Sequence, residues 1–360
     1  MIAVEPAAFQ ANERQAVALR TIAVAVAVES DAAEWDRFVD ATPAATGYHS
    51  WAWRDVVANA FGHECVYLIA RADDHVAGVL PLVFINSAIF GRSLTSLPFL
   101  NYGGVVADSA ELADALLARA ADVARERRCG HVELRHIDRQ FPRLPCKQHK
   151  VTMKLRLESG MWERLDRKVR NQIRKAQKSE LTSEIGGANL LDEFYAVFAR
   201  NMRDLGTPVY AKRLFAEVLR AFPERARIHV VRLKGAAIAG GVTFTTAGTT
   251  EVPWASSVRE YNSLCPNHLL YWSVIEAAAA RGDAVLDFGR STPNEGTYKF
   301  KEQWGAEPVP LHWEYWLASG ETLPDTSPKN PKYRLMIALW KRLPVSIATF
   351  VGPSIVRAIP

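Results

Sequence analysis

Between Trp162 and Lys178 the chain carries seven cations: Arg164, Arg167, Lys168, Arg170, Arg174, Lys175 and Lys178. At about 100° per residue, Trp162, Leu165, Val169, Ile173 and Ala176 fall within an arc of about 80°, and the cations in an opposite arc of about 160°. The first face packs on a domain. The second presents a row of fixed positive charge, which suits the phosphates of a nucleotide, a lipid pyrophosphate or an RNA backbone. Lys168, Arg170, Arg174 and Lys175 are the candidate phosphate ligands, and a solvated helix face is the plainer alternative. A second group is Asp287-Phe288-Gly289-Arg290-Ser291-Thr292, followed by Tyr298-Lys299-Phe300-Lys301 and Trp304-Gly305. A strand ends there, opens into a polar turn, and leads to a short helix stopped by Gly305. Phe300 and Trp304, four apart, pack inward together. Lys299 and Lys301 cannot both share that face, so one points into a cleft at the strand end unless both lie on the surface.

Other titratable groups are less pointed. His268 opens a helix and is a candidate general base. His131 and His136 flank a strand without partner spacing. Asp108 or Ser109 caps a helix running to about Arg128, and Glu251 sits on a strand facing either core or cleft. Cys65, Cys129, Cys146 and Cys265 form neither a CxxC nor a zinc-like spacing with histidine, so they read as reduced thiols in a cytoplasmic protein with no metal.

These groups need a scaffold. The 360 residues are 49% hydrophobic and 23% charged, which is globular composition and excludes disorder. The formal net charge of +5 is concentrated: residues 161–180 hold seven cations against three anions, and residues 321–360 hold six against two. No apolar run is long enough to span a bilayer, and no signal peptide is evident. Hairpins are expected around Ala72-Asp73-Asp74-His75 and Lys234-Gly235. Strands are expected at 21–29, 131–137, 151–157, 249–255, 284–288 and 311–317, and helices at 31–40, 190–205, 211–221 and 266–281. Each half then runs helix, helix, hairpin, strand or loop, helix, strand. That order predicts two related α+β domains, at 1–160 and 181–318, joined by the basic helix at 161–180 and followed by a linker and amphipathic tail at 319–360.

The basic stretch Lys168–Ala176, Phe288-Gly289-Arg290-Ser291 with Tyr298-Lys299-Phe300-Lys301 and Trp304-Gly305, and the loop Leu97-Pro98-Phe99-Leu100-Asn101-Tyr102-Gly103-Gly104 together resemble the FemAB family of aminoacyltransferases. The resemblance covers about residues 20–318. It is narrower still with the FemAB-like proteins of exosortase and exopolysaccharide loci. It implies two tandem GNAT-like acyltransferase domains with mixed, mostly antiparallel sheets flanked by helices. It implies transfer of an aminoacyl or other acyl group to an amine on a phosphate-bearing, polyprenyl-linked cell-envelope or exopolysaccharide precursor. By that resemblance Lys301 stabilises charge at the cleft and Asp108 accepts a proton. Arg290 and the cations of residues 168–175 contact phosphates, and Lys299, Tyr298, Asn101 and Tyr102 line the substrate site. Aminoacyl-tRNA is the implied donor, taken as a co-substrate with no permanently bound cofactor. Acyl-CoA is disfavoured because Arg259–Leu264, before the 266–281 helix, lacks the glycines of a pyrophosphate-cradling loop.

Two other readings compete: a non-catalytic protein binding RNA or another polyanion through the basic helix, and a membrane-associated scaffold. DNA is not an expected partner. The tail, 333–360, is too broken by Pro344, Gly352 and Pro353 to span a bilayer. It either lies at the inner face of the cytoplasmic membrane or docks on the second domain.

Overall fold

The computed structural model describes residues 21–324 and 331–359. Lys332 and Arg334, counted above among the tail's cations, have side chains outside the described residues.

Two sheets carry the fold. The first is built from β1 (Ile22–Val26), β2 (Glu64–Ala72), β3 (His75–Ser87), β4 (Gly91–Ser96), β5 (Val106–Ala107), β6 (His131–His136) and β7 (Cys146–Lys147). The second is built from β8 (Val151–Arg156), β9 (Leu181–Gly186), β10 (Ala226–Leu233), β11 (Ala236–Thr246), β12 (Thr249–Ser257), β13 (Val285–Ser291) and β14 (Glu307–Pro310). The last strand, β15 (His312–Leu317), returns to the first sheet and lies between β6 and β7. The second sheet runs β14-β8-β13-β12-β11-β10-β9. The boundary expected at residue 160 is therefore crossed in both directions: β8 belongs to the second sheet and β15 to the first.

Helices cover both sheets. In the first unit α1 (Ala32–Ala41) and α2 (Trp53–Phe61) lie on one face and α3 (Ala110–Glu126) on the other. In the second, α4 (Met161–Arg164), α5 (Arg167–Lys178), α8 (Pro266–Arg281) and α9 (Gly296–Glu302) lie on one face, and α6 (Leu191–Leu205) and α7 (Lys212–Ala221) on the other. The tail forms α10 (Pro331–Trp340) and α11 (Val345–Val356), which dock against α6 and the segment after it.

Both hairpins form as expected, and 266–281 is helical throughout. Two elements differ. The basic helix is not continuous from Trp162: it breaks at Leu165, whose backbone is extended, and restarts after Asp166, whose carboxylate accepts from the Lys168 N–H. The edge of the 97–104 loop begins as a strand, β4, that the sequence pattern does not flag.

Each sheet contains one parallel pair bridged by a helix, β4-α3-β6 and β12-α8-β13. Both pairs are short. β4 and β6 pair only at Ser93–His131, Leu94–Val132 and Thr95–Glu133. β12 and β13 pair only at Thr249–Val285, Thr250–Leu286 and Glu251–Asp287. Beyond those residues the strands separate, and their open ends face each other across the two units.

One apolar core runs between the units. Phe244 of β11 is fully buried among Tyr48, Trp53 and Phe222, with ring centroids 6.1, 5.4 and 4.9 Å away. Trp53 Nε1 donates to the Gly47 carbonyl at 2.9 Å, fixing the aromatic wall of the first unit. Phe244→Ala leaves a cavity at this shared seam and is expected to lower stability by about 3–5 kcal/mol. Because the seam belongs to both units, urea unfolding of the variant should remain one transition by both circular dichroism and tryptophan fluorescence. Two separated transitions would show that the units do not depend on this contact.

Candidate functional site

β13 is the spine of the site. Its alternation sends Leu286 and Phe288 into the core under α5 and α8, and Asp287 toward the first unit. Asp287 is completely buried and accepts three hydrogen bonds: from the Tyr102 hydroxyl at 2.9 Å, from the Gly289 N–H at 2.8 Å and from the Thr152 hydroxyl. Gly289 has φ +75°, and a Cβ there would sit 3.0 Å from the Val252 carbonyl oxygen. This residue forms a bulge between Asp287 and Arg290 in the pairing with β8. Lys301, from α9, reaches the bulge and donates to the Gly289 and Arg290 carbonyls at 2.8 and 2.9 Å. Burial, with Arg290 adding to it and Asp287 opposing it, lowers the Lys301 ammonium to about 8. Lys299, two residues earlier, is exposed, and Tyr298 packs partly into the core.

The loop 97–104 delivers the first unit's side chains. Leu97 and Phe99 hold positive φ, 42° and 75°, while buried, a strained path that places Asn101 and Tyr102 over the bulge. The Asn101 amide nitrogen is buried without a hydrogen-bond partner among the described residues.

Between the units lies a cavity of about 340 Å³. Its first-unit wall includes His49, Tyr102, Arg135 and His136; its second-unit wall includes Lys154, Thr246, Thr249 and Glu251. Arg135 is held by Glu133 at 2.7 Å and stacks on Trp313, 4.3 Å from the ring centre. Arg290 approaches the same ring at 5.6 Å and has no carboxylate partner among the described residues. Burial, with Arg135 nearby, lowers Arg290 to about 10.

Both histidines are occupied. His49 Nδ1 accepts from the Thr46 N–H at 3.0 Å, so Nε2 carries the proton and donates to the Gly104 carbonyl, also at 3.0 Å. Burial lowers His49 to about 4. His136 Nε2 accepts from the Val105 N–H at 2.8 Å, which leaves the proton on Nδ1, 2.8 Å from Glu314 Oε2. His49 thus has no ring nitrogen free to take a proton. Glu251 differs. Among the described residues its Oε2 makes no well-formed hydrogen bond, although the Tyr48 and Tyr102 hydroxyls lie close enough to favour the ionised form. Burial first, and then the neighbouring Asp287 charge, raise its carboxyl to about 8. In this cavity it is the group suited to exchange a proton near neutrality.

The structure thus brings Asn101, Tyr102, Arg290 and Lys301 together around the bulge. It does not bring the others there. Asp108 is exposed, does not line this cavity, and leaves helix capping to Ser109, whose hydroxyl accepts from Leu112 N–H. Lys168, Arg174 and Lys175 are exposed on α5, and Arg170 is half-buried with its Nε unpartnered among the described residues, all on the opposite face of the second sheet. His268 packs between Phe300 and Trp304 beside that helix, and burial, with Lys168 nearby, lowers it to about 4. The residues that pattern reading passed over, Glu133, Arg135 and Glu314, share one visible signal: a charge in the interior of a strand.

Residues 164–302 match the family described as acetyltransferase (GNAT) domain. No curated protein matches the chain. Among solved structures the chain is similar to FemX, at 14% identity over 88% of this chain and 100% of that one, with a TM-score of 0.65. It is similar to L-PGS from Bacillus licheniformis, at 10% identity over 81% and 91%, with a TM-score of 0.54. It is also similar to a tandem GNAT protein from the clavulanic acid biosynthesis pathway, at 12% identity over 83% and 98%, with a TM-score of 0.52. At these identities the likeness is one of fold: α+β, with two GNAT-like units in tandem.

The raised Glu251 carboxyl has a consequence for stability. The folded protein keeps a proton that the unfolded chain releases near its ordinary value of 4.5. Stability is therefore fullest below about 4.5 and is lost as pH rises through about 8. Glu251→Gln, which cannot ionise, should remove this part of the decline in urea midpoints measured at pH 5, 7 and 9. A decline of undiminished size in the variant would assign it to another group.

Proposed function

We propose that this chain is a FemAB-type N-acyltransferase that moves an aminoacyl or other acyl group onto an amine of a phosphate-bearing cell-envelope or exopolysaccharide precursor. The observation that carries this reading is the buried Glu251 carboxyl, whose Oε2 has no well-formed hydrogen bond among the described residues, in the cavity lined also by Arg135 and Lys154 between two GNAT-like units. The acceptor amine attacks the acyl carbonyl carbon, the C–O bond to the donor breaks, and the amine proton passes to ionised Glu251 and on to the leaving oxygen. Arg135 and Lys154 offset the negative charge that develops on the carbonyl oxygen. Arg290, without a carboxylate of its own, receives the acceptor's phosphate. Lys301 is a positioning residue in this scheme: it fixes the carbonyls of the bulge from which Arg290 projects. The proton acceptor is Glu251 in place of Asp108.

The donor is proposed to be aminoacyl-tRNA, bound as a co-substrate. The segment before α8 supports a donor other than acyl-CoA. Arg259–Leu264 is coiled into a short 3₁₀ helix, and the N–H groups of Tyr261 and Cys265 are spent on Val258 and Asn262. Fewer are left to meet a pyrophosphate. The polyprenyl-linked acceptor and the narrower kinship with exosortase-associated proteins belong to the same proposal, as does a location at the cytoplasmic side of the membrane. A second reading, polyanion binding without chemistry, is favoured by the exposed cations of α5.

The test is transfer of labelled amino acid from mixed aminoacyl-tRNA to amine-bearing nucleotide-linked and polyprenyl-linked sugars, read by mass spectrometry. Turnover should rise with pH through about 8, as Glu251 ionises. Glu251→Gln should lower it by about 10²–10⁴-fold. Tight, steeply salt-dependent RNA binding with no covalent product would instead support the second reading.

A further inference from the structure

Six of the thirteen large apolar side chains exposed among the described residues lie on the two tail helices: Leu335, Met336, Leu339, Ile347, Phe350 and Val351. Phe350 is the most exposed of all, at 85%. These helices are not loose. α11 buries Ala348, Gly352 and Val356, four apart, against the protein, and a Cβ on Gly352 would come within 2.7 Å of the Val209 nitrogen. Arg203 donates to the Leu343 carbonyl at 2.7 Å, and His63 Nε2 donates to the Arg357 carbonyl at 2.9 Å. On α10, Trp340 packs on the shared core and Ile337 lies against Gly206. The docked faces account for the tail as a strap. They do not account for what it shows to the outside.

At about 100° per residue, Leu335, Met336 and Leu339 share one arc of α10, turned away from Ile337. Ile347, Phe350 and Val351 share an arc of about 100° on α11, turned away from the buried stripe. The segment from Pro331 to Pro360 contains five cations, Lys332, Arg334, Lys341, Arg342 and Arg357, and no aspartate or glutamate. Lys341 and Arg342 are exposed at the turn between the helices. Apolar arcs bordered by cations alone match a surface that is apolar beneath and anionic at its rim. A second copy of the chain would set these cations against one another.

We propose that the outward faces of α10 and α11 dock the protein on the headgroup region of an anionic bilayer, in its plane. No helix among the described residues is long and apolar enough to cross one. The docked helix also touches the cleft's neighbourhood. Val209, under Gly352, precedes Tyr210, whose ring packs 6.0 Å from Phe99 and feels the charges of Arg290 and Arg135. Docking is independent of the transfer reaction proposed above, and its test uses no activity.

Full-length protein is floated with phosphatidylcholine vesicles and with vesicles that also contain phosphatidylglycerol. Binding is expected to the mixed vesicles and to be weaker to phosphatidylcholine alone. Lys341→Glu with Arg342→Glu should weaken binding to mixed vesicles by about 30-fold or more. Phe350→Ser with Leu339→Ser should weaken binding to both kinds. All four side chains are exposed, so the urea midpoints should not move. Equal flotation of the native chain and both variants, or flotation of none, would overturn the proposal. So would a dimer in sedimentation velocity, without vesicles, that Phe350→Ser converts to monomer, since a second copy would then own this face.

Discussion

One carboxylate holds the two halves in register. Asp287 is wholly enclosed, and a buried charge of that kind persists only when its oxygens are satisfied. Its donors come from three separate stretches: Tyr102 from the first unit, Thr152 from the strand entering the second, and Gly289 from its own bulge. The arrangement fixes where the first unit's loop meets the second sheet. Burial and then this same charge raise the neighbouring Glu251, so a structural requirement and a chemical one meet across a single rung of one parallel ladder.

The surrounding charges follow the same logic of enclosure with a partner. Glu133 would be pushed up by burial, but the Arg135 guanidinium and the Tyr315 hydroxyl more than compensate and hold it below the ordinary carboxylate range. Glu314 accepts from the Gln140 and Phe141 N–H groups and faces His136, and it too stays below that range despite burial. Against this background of paired groups, and among the described residues, Glu251 Oε2 stands out for lacking a well-formed hydrogen bond and the Arg290 guanidinium for lacking a carboxylate. They are the groups a substrate can engage at no cost to the frame.

Much of the frame was legible in the residues. The period of the basic stretch separates Val169 and Ile173 from its cations, and both are buried as that period requires. Phe300 and Trp304 turn inward together, and of the two lysines between Tyr298 and Glu302 it is Lys301 that points in. The site was harder to see. Alternation says that Glu251 and Asp287 share parity, but not whether that parity meets a core or a cleft. Only the Tyr102 hydroxyl, 185 positions away, decides it. Nor does periodicity reveal that α5 and the cavity lie on opposite faces of one sheet. That depends on which way each crossover helix packs, a property of the assembled fold. Asp108 looked chemical because a carboxylate before a helix is a common cap and a common base; here the adjacent serine takes the first role and the cavity lies elsewhere.

The return of β15 to the first sheet also orders events in time. β15 pairs all along β6, from His312–His136 to Leu317–His131, so β6 has an open edge until residues 312–317 exist. At about 5–20 residues per second of synthesis, the nascent first unit waits roughly 10–35 s for its missing strand while the second unit emerges. A ribosome that stalls between the two strands leaves an exposed edge carrying the alternating charges Glu133 and Arg135. Those charges guard the edge against pairing with another chain until its own strand arrives.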